Sequence, residues 1–289
     1  MVPPTALETL PADVRDVPPA SDARAGRRRR HASAGRILYP CSAVIALLLA
    51  WEAWVKLGHI QSYLLPPPTH VVSEMFTQFV PLLPDTWATL EEILLGFGLS
   101  VVVGIALAMI IVTSDRFEQT VYPILVISQV VPKIAVAPLM IVWLGFGLSG
   151  KVLIVFTIAF FPIVIDTITG LRSVEIEKLY LAQSMGASRF QTFVHIRLPG
   201  ALPSIFTGVK LSATFAVIGA VVGEFVASDH GLGHIILAAS STFNTPLLFT
   251  GVAYLTVIGL VMFFAVDIAE RIALPWHSSR RLDTMLRTA

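Results

Sequence analysis

The chain has 289 residues, 55% of them hydrophobic and only 13% charged, against about 25% charged in an average soluble domain. Twenty basic and 19 acidic side chains, net +1, thinly cover a chain of this length. The composition therefore excludes most soluble folds, indicates an integral membrane protein and gives no general ground for nucleic-acid binding.

Residues 1–36 are rich in Pro, Ala, Asp and Arg, lack apolar periodicity and end in the run Arg27 to Arg30. They read as a disordered basic tail. The first apolar run starts only at Ile37, too late for a secretory leader, and is read as a retained anchor. Its lone cysteine, Cys41, excludes an intrachain disulfide and a thiolate metal site and reads as a small core hydrophobe.

Six segments approach the ~20 apolar residues that a spanning helix needs. They are Ile37 to Trp54, Ile93 to Val112, Val121 to Leu144, Val152 to Thr169, Phe206 to Val226 and Leu247 to Val266. Sixteen of the 20 lysines and arginines then fall on the amino-terminal side of the membrane, Lys56 and Lys151 fall in loops on the other side, and Lys133 and Lys210 lie within spans. By the positive-inside bias both termini are expected in the cytoplasm of a multi-pass cell-membrane protein.

Between the first two spans, Pro66 to Pro68 precede a segment with Val71, Val72, Met75, Phe76, Phe79 and Val80 at helical spacing. This predicts an amphipathic helix on the outer surface, with a packing lid favoured over a binding role. Pro123, Pro132 and Pro138 should break or bend the third span and Pro162 the fourth.

Gly145 to Lys151 matches most of the phosphate-binding pattern G-x-x-x-x-G-K-[ST], but Val152 replaces the hydroxyl residue and the loop joins two spans, so no ATP site is expected. His230 and His234 are four apart, but Gly231 and Gly233 argue against a helix there and hence against a metal site.

The inside segment from Gly170 to Ser204 has an internal order. A helix over Ile176 to Met185, a left-handed end at Gly186, an N-cap at Ser188 and a second helix from Arg189 to Ile196 make a knob that exposes Tyr180, Leu181, Met185 and Phe190. The knob suits docking into a groove of a soluble partner or rest on the lipid interface. In the fifth span Gly208, Ser212, Ala216 and Ala220 recur every four residues beside Gly219 and Gly223, a face for close helix approach within the subunit or between subunits.

These residues carry a resemblance. Ala182, then Gly186, nine residues, and Ile196-Arg197-Leu198-Pro199 resemble the E-A-A-x-x-x-G-x9-I-x-L-P loop of ABC importer permeases. Val131-Pro132, Pro138-Leu139, Trp143 to Gly147, Phe161-Pro162, Gly223-Glu224 and Gly231-Leu232-Gly233 are similar to the nitrate, sulfonate and taurine branch, which also has relatives for pyrimidine vitamin precursors and riboflavin. Tyr180 and Leu181 depart from the first two loop positions, so the family's acidic contact is not carried over.

The resemblance implies an all-α type I permease bundle that makes and breaks no covalent bond. Its domains would be 1–36, 37–92, a core at 93–269 with a coupling loop at 170–205, and a tail at 270–289. The loop residues Tyr180, Leu181, Ala182, Gly186, Ala187, Arg189, Ile196, Leu198 and Pro199 would meet two copies of an ATP-binding subunit, which hold the ATP and Mg; this chain would bind no cofactor. A permease homodimer, an extracytoplasmic solute-binding protein and the bilayer complete the expected partners. Lys133, with Pro132 and Glu224, is a candidate for the translocation path; burying its charge costs about 2.5–3.5 kcal/mol on insertion scales, so it should face protein or water. It would either favour an anionic solute such as a sulfonate, taurine or nitrate, or pair internally with Glu224 or Asp166. Lys210 and Glu224 read as interfacial. The alternative readings are the same architecture importing a vitamin or pyrimidine precursor, and an ion-gradient transporter.

Overall fold

The computed structural model describes residue 39 and residues 42–275, so the amino-terminal tail, Cys41, the start of the first expected span and the carboxy-terminal tail lie outside the described residues. The described residues form helices and turns without strands. The described residues divide into two units between His59 and Ile60. The first holds α1, residues 42–57, where Lys56 Nζ reaches Glu52 one turn earlier at 2.7 Å.

In the second unit α2 (Pro68–Thr77) is followed by α3 (Leu83–Val112), α4 (Asp115–Val130), α5 (Lys133–Leu144), α6 (Leu148–Arg172), α7 (Ile176–Ser184), α8 (Arg189–Thr192), α9 (Leu198–Ala227), α10 (Leu232–Ser241) and α11 (Thr245–Ala273). Four of these, α3, α6, the run through α8–α9, and α11, are long and apolar enough to cross a membrane, and α4 with α5 would make a fifth if counted as one broken span. The break or bend expected in the third span falls at one of its three prolines: its halves meet at 97° at Val131–Pro132. Pro132 supplies neither an N–H nor helical freedom for Val131, so the ladder stops there. Pro123, Pro138 and Pro162 are instead carried inside continuous helices.

Helix α6 is the centre of the bundle because small residues on both neighbours let it approach closely. On α9, a Cβ on Gly219 would stand 2.7 Å from Val155 Cα, a Cβ on Gly208 would stand 2.8 Å from Asp166 Cβ, and Ser212 Oγ donates to Ala159 O at 2.6 Å. The α9 stripe therefore serves contact within the subunit. The same spacing recurs on α3 at Gly96, Ser100, Gly104 and Ala108. There a Gly96 Cβ would overlap Val155, and Ser100 Oγ lies 3.2 Å from Phe156 O. Ile93, Val155, Ala159, Ile163, Ala213, Ala216 and Ala220 are fully buried in the core that results. Helix α2 packs on α11, where Tyr254 Oη donates to Met75 O at 2.7 Å.

Candidate functional site

Three features flank this core. The first is the turn between α7 and α8. Helix α7 ends at Met185, Gly186 follows at φ +83°, and two backbone bonds close the end: Gly186 N–H to Gln183 O at 2.9 Å and Ala187 N–H to Ala182 O at 3.0 Å. This is a Schellman end, which glycine enters without the left-handed penalty. Ser188 then caps α8 by accepting from Gln191 N at 3.2 Å, and Gln191 Oε1 accepts from Ser188 N at 2.8 Å. The reciprocal pair is a capping box.

Alongside, Ala182 is buried while Tyr180, Leu181, Met185 (79% exposed) and Phe190 (75%) point outward. Leu181, Ala182, Met185, Gln191, His195 and Ile196 help line a groove of about 630 Å³. Arg189 is exposed, and Ala187, Ile196, Leu198 and Pro199 are half-buried at the joint with α9. That joint is a π turn, Phe193–Arg197, in which Leu198 N–H reaches back to Phe193 O. Pro199 lacks the N–H that His195 O would receive and crowds that carbonyl, which accounts for the wider turn.

The second feature is the break at Pro132. Lys133 opens α5 half-buried, its ammonium 4.5 Å from the Phe161 ring centroid. Neither Glu224 nor Asp166 pairs with it; among the described residues no carboxylate does. The structure brings Pro132 and Lys133 together, as consecutive residues must be, and sets Glu224 apart from them in a different cluster.

That cluster is the third feature, at the end of the bundle opposite α7. Glu224 is not at a solvated interface: it is 1% exposed, and its Oε1 lies 2.6 Å from Thr89 Oγ1 while Oε2 accepts from Gly233 N at 2.5 Å. Leu232 N donates to Thr89 Oγ1 at 2.9 Å and Gly231 N to Asp85 Oδ1 at 2.7 Å. Side chains of α3 and α9 thereby satisfy the orphan amides at the start of α10. Gly231 lies at φ +104° and a Cβ there would stand 2.0 Å from Glu224 Oε1, so the Gly-Leu-Gly sequence is required by the carboxylate beneath it. Lys151 is likewise no loop residue. It sits in the first turn of α6, 8% exposed, bonded to Glu92 Oε1 at 2.7 Å and Ser228 Oγ at 2.6 Å. Helix α10 begins only at Leu232, so His234 is helical, His230 is not, and no one helix carries both. Among the described residues no group of three His, Cys, Asp or Glu is arranged for a metal.

At the α7 end Arg172 pairs with the buried Glu118 and Lys210 bridges Asp267 and Glu270 of α11. Lys210 is thus held by acidic partners, not left to interfacial solvent as its position in the span had suggested.

A sharply bent helix pair beside a small-residue bundle of long apolar helices, with a capped apolar knob at one end, is the architecture of a polytopic membrane protein. Residues 100–275 match the family of binding-protein-dependent transport system inner membrane components. The chain belongs to that family and is a permease of an ABC importer. It is 35% identical over 247 residues to the formylaminopyrimidine transport permease ThiX of Halalkalibacterium halodurans, covering 84% of this chain and 97% of that one. It is 37% identical to the riboflavin transport system permease RibX of Chloroflexus aurantiacus (82% and 89% covered). With the taurine transport system permease TauC of Escherichia coli the identity is 30% (80% and 86% covered). Its fold is similar to an inward-facing structure of the MetNI methionine ABC transporter, with a TM-score of 0.59 at 21% identity over 66% of this chain and 95% of that one. The fold is therefore that of a type I importer permease. Membership of this family replaces the ion-gradient alternative.

Proposed function

We propose that this permease imports a small anionic solute, such as a sulfonate, taurine or nitrate, and that Lys133 with Pro132 lines its path. The observation that carries the solute class is Lys133: a partly buried ammonium over an aromatic face, without a carboxylate partner among the described residues. Such a charge is stabilised by a passing anion. A second reading, a neutral heteroaromatic vitamin precursor, draws support from the identities to ThiX and RibX. Binding of taurine, alkanesulfonates, nitrate, formylaminopyrimidine and riboflavin to the cognate solute-binding protein separates the two. Tight binding of an anion, together with uptake lost in Lys133→Met and retained in Lys133→Arg, supports the first reading; undiminished uptake in the Met variant removes Lys133 from the path.

The working unit in this proposal is a permease homodimer with two ATP-binding subunits and an extracytoplasmic solute-binding protein. ATP and Mg belong to the ATP-binding subunits, and this chain carries no cofactor and no covalent chemistry. Both termini and the α7–α8 knob face the cytoplasm, an orientation supported by the distribution of lysine and arginine. The knob, with Tyr180, Leu181, Ala182, Gly186, Ala187 and Arg189 at its tip and Ile196, Leu198 and Pro199 at its root, docks on the ATP-binding subunit. Closure of the ATP-bound pair then biases a two-state swing of the bundle. Uptake into liposomes that needs both the ATP-binding subunit and ATP supports this assignment, and uptake driven by an ion gradient without that subunit overturns it.

A further inference from the structure

The buried cluster beneath α10 determines where a proton resides. Thr89 Oγ1 has one hydrogen and two lone pairs. Three groups stand around it: Leu232 N at 2.9 Å, Asp85 O at 3.0 Å and Glu224 Oε1 at 2.6 Å. The Leu232 amide brings its own hydrogen. The other two are oxygens, and the single threonine hydrogen serves only one of them. The remaining contact would set lone pair against lone pair unless the second oxygen carries a hydrogen. A peptide carbonyl has none, whereas a carboxylic acid does.

Charge balance gives the same answer from different atoms. Lys151 is matched by Glu92 at 2.7 Å. An ionised Glu224 would then leave one negative charge in excess among three side chains that are each at most 8% exposed. Two ionised carboxylates around one ammonium would repel one another, and Glu92 Oε2 is buried without a hydrogen-bond partner among the described residues. Uncompensated buried charge is costly, and neutralisation by a proton is the usual remedy.

We propose that Glu224 is a proton-binding site, held in this conformation as a neutral carboxylic acid that donates from Oε1 to Thr89 Oγ1. Thr89 then donates its own hydrogen to Asp85 O, Glu224 Oε2 accepts from Gly233, and the Glu92–Lys151 pair stands as a neutral unit. The other titratable groups around the cluster supply no countercharge. Asp85 is occupied by Gly231 N–H, Glu91 is exposed on α3, and Asp229 and His230 face one another 3.7 Å apart in the exposed turn before α10. His234 on α10 makes no ion pair among the described residues, and the α11 carboxylates Asp267 and Glu270 lie at the other end of the bundle, on Lys210. Ionisation at high pH would turn the Oε1 contact from donor to acceptor, withdraw Thr89 from Asp85 and add an unmatched charge. The hold of α3 and α9 on α10 therefore weakens as pH rises.

The test uses the complete transporter, in lipid nanodiscs for infrared difference spectra between neutral and alkaline pH and in proteoliposomes for uptake. The wild type and Asp166→Asn are expected to show a carboxylic-acid carbonyl band at neutral pH that Glu224→Gln lacks. Gln reproduces the acid's donor and acceptor pattern, so its uptake should stay within about twofold of wild type and lose any alkaline fall, whereas Glu224→Leu, which strands Thr89 and Gly233, should lose roughly tenfold or more. A wild-type band no larger than that of Glu224→Gln, or a Gln variant as impaired as the Leu variant, overturns the proposal.

Discussion

The two ends of the bundle are built on opposite principles. The α7 end presents its apolar side chains outward on a turn closed by its own backbone and by one capping box. The α10 end turns its polar side chains inward and closes by bonds between distant segments. Ser188 and Gln191 are three residues apart, while Thr89 and Glu224 are separated by 135 positions, Thr89 and Leu232 by 143 and Asp85 and Gly231 by 146. The first arrangement tolerates movement as a unit and suits a part that docks and transmits. The second is closed only while four helices keep their places, which suits a part that must be either shut or fully released.

The largest effect is expected where this contrast is sharpest. Gly231→Ala forces a Cβ into the Glu224 carboxylate and strains a positive-φ, extended backbone that is essentially restricted to glycine by about 1–3 kcal/mol, for a total of roughly 3 kcal/mol or more. A thermal melt of the purified transporter should show it; an unchanged melt would mean that the turn is not seated on Glu224. Lys151→Met should cost about 3–5 kcal/mol by stranding Glu92, and the double variant Lys151→Met/Glu92→Leu should recover most of that loss. If the double variant is as unstable as the single one, the pair is not the source of the effect.

At the other end the effects are smaller and local. Gly186→Ala meets open space but keeps a φ of +83°, so it should cost about 1–2 kcal/mol in the knob alone. Ser188→Ala removes the cap and should cost about 1 kcal/mol. Hydrogen exchange across residues 189–197 reads both changes, which should leave the amides of Gly231 to Gly233 untouched. Spread of the change to the α10 end would contradict the separation of the two.

The same contrast explains what was legible in the sequence. The knob could be read from Gly186 and Ser188 because capping is decided within a few residues, and the small-residue face of α9 was legible because it repeats every four. The α3 face, Gly96 to Ala108, carries the same four-residue signal. The cluster is not legible in the sequence: Glu224 reads there as interfacial and Lys151 as a loop residue, because their roles depend on three helices meeting. The 97° break was legible only as a list of four prolines, since Pro123, Pro138 and Pro162 have the same local chemistry as Pro132 and differ by tertiary accommodation.

In the proposed working unit the apolar tip at the α7 end couples this permease to ATP hydrolysis. The most direct measurement is solute uptake and ATP hydrolysis in proteoliposomes holding the complete transporter with Leu181→Asp, whose side chain is exposed and outside the core. The bundle should assemble normally, with uptake reduced roughly tenfold or more and hydrolysis no longer raised by loaded solute-binding protein. Uptake and stimulated hydrolysis equal to wild type would contradict it.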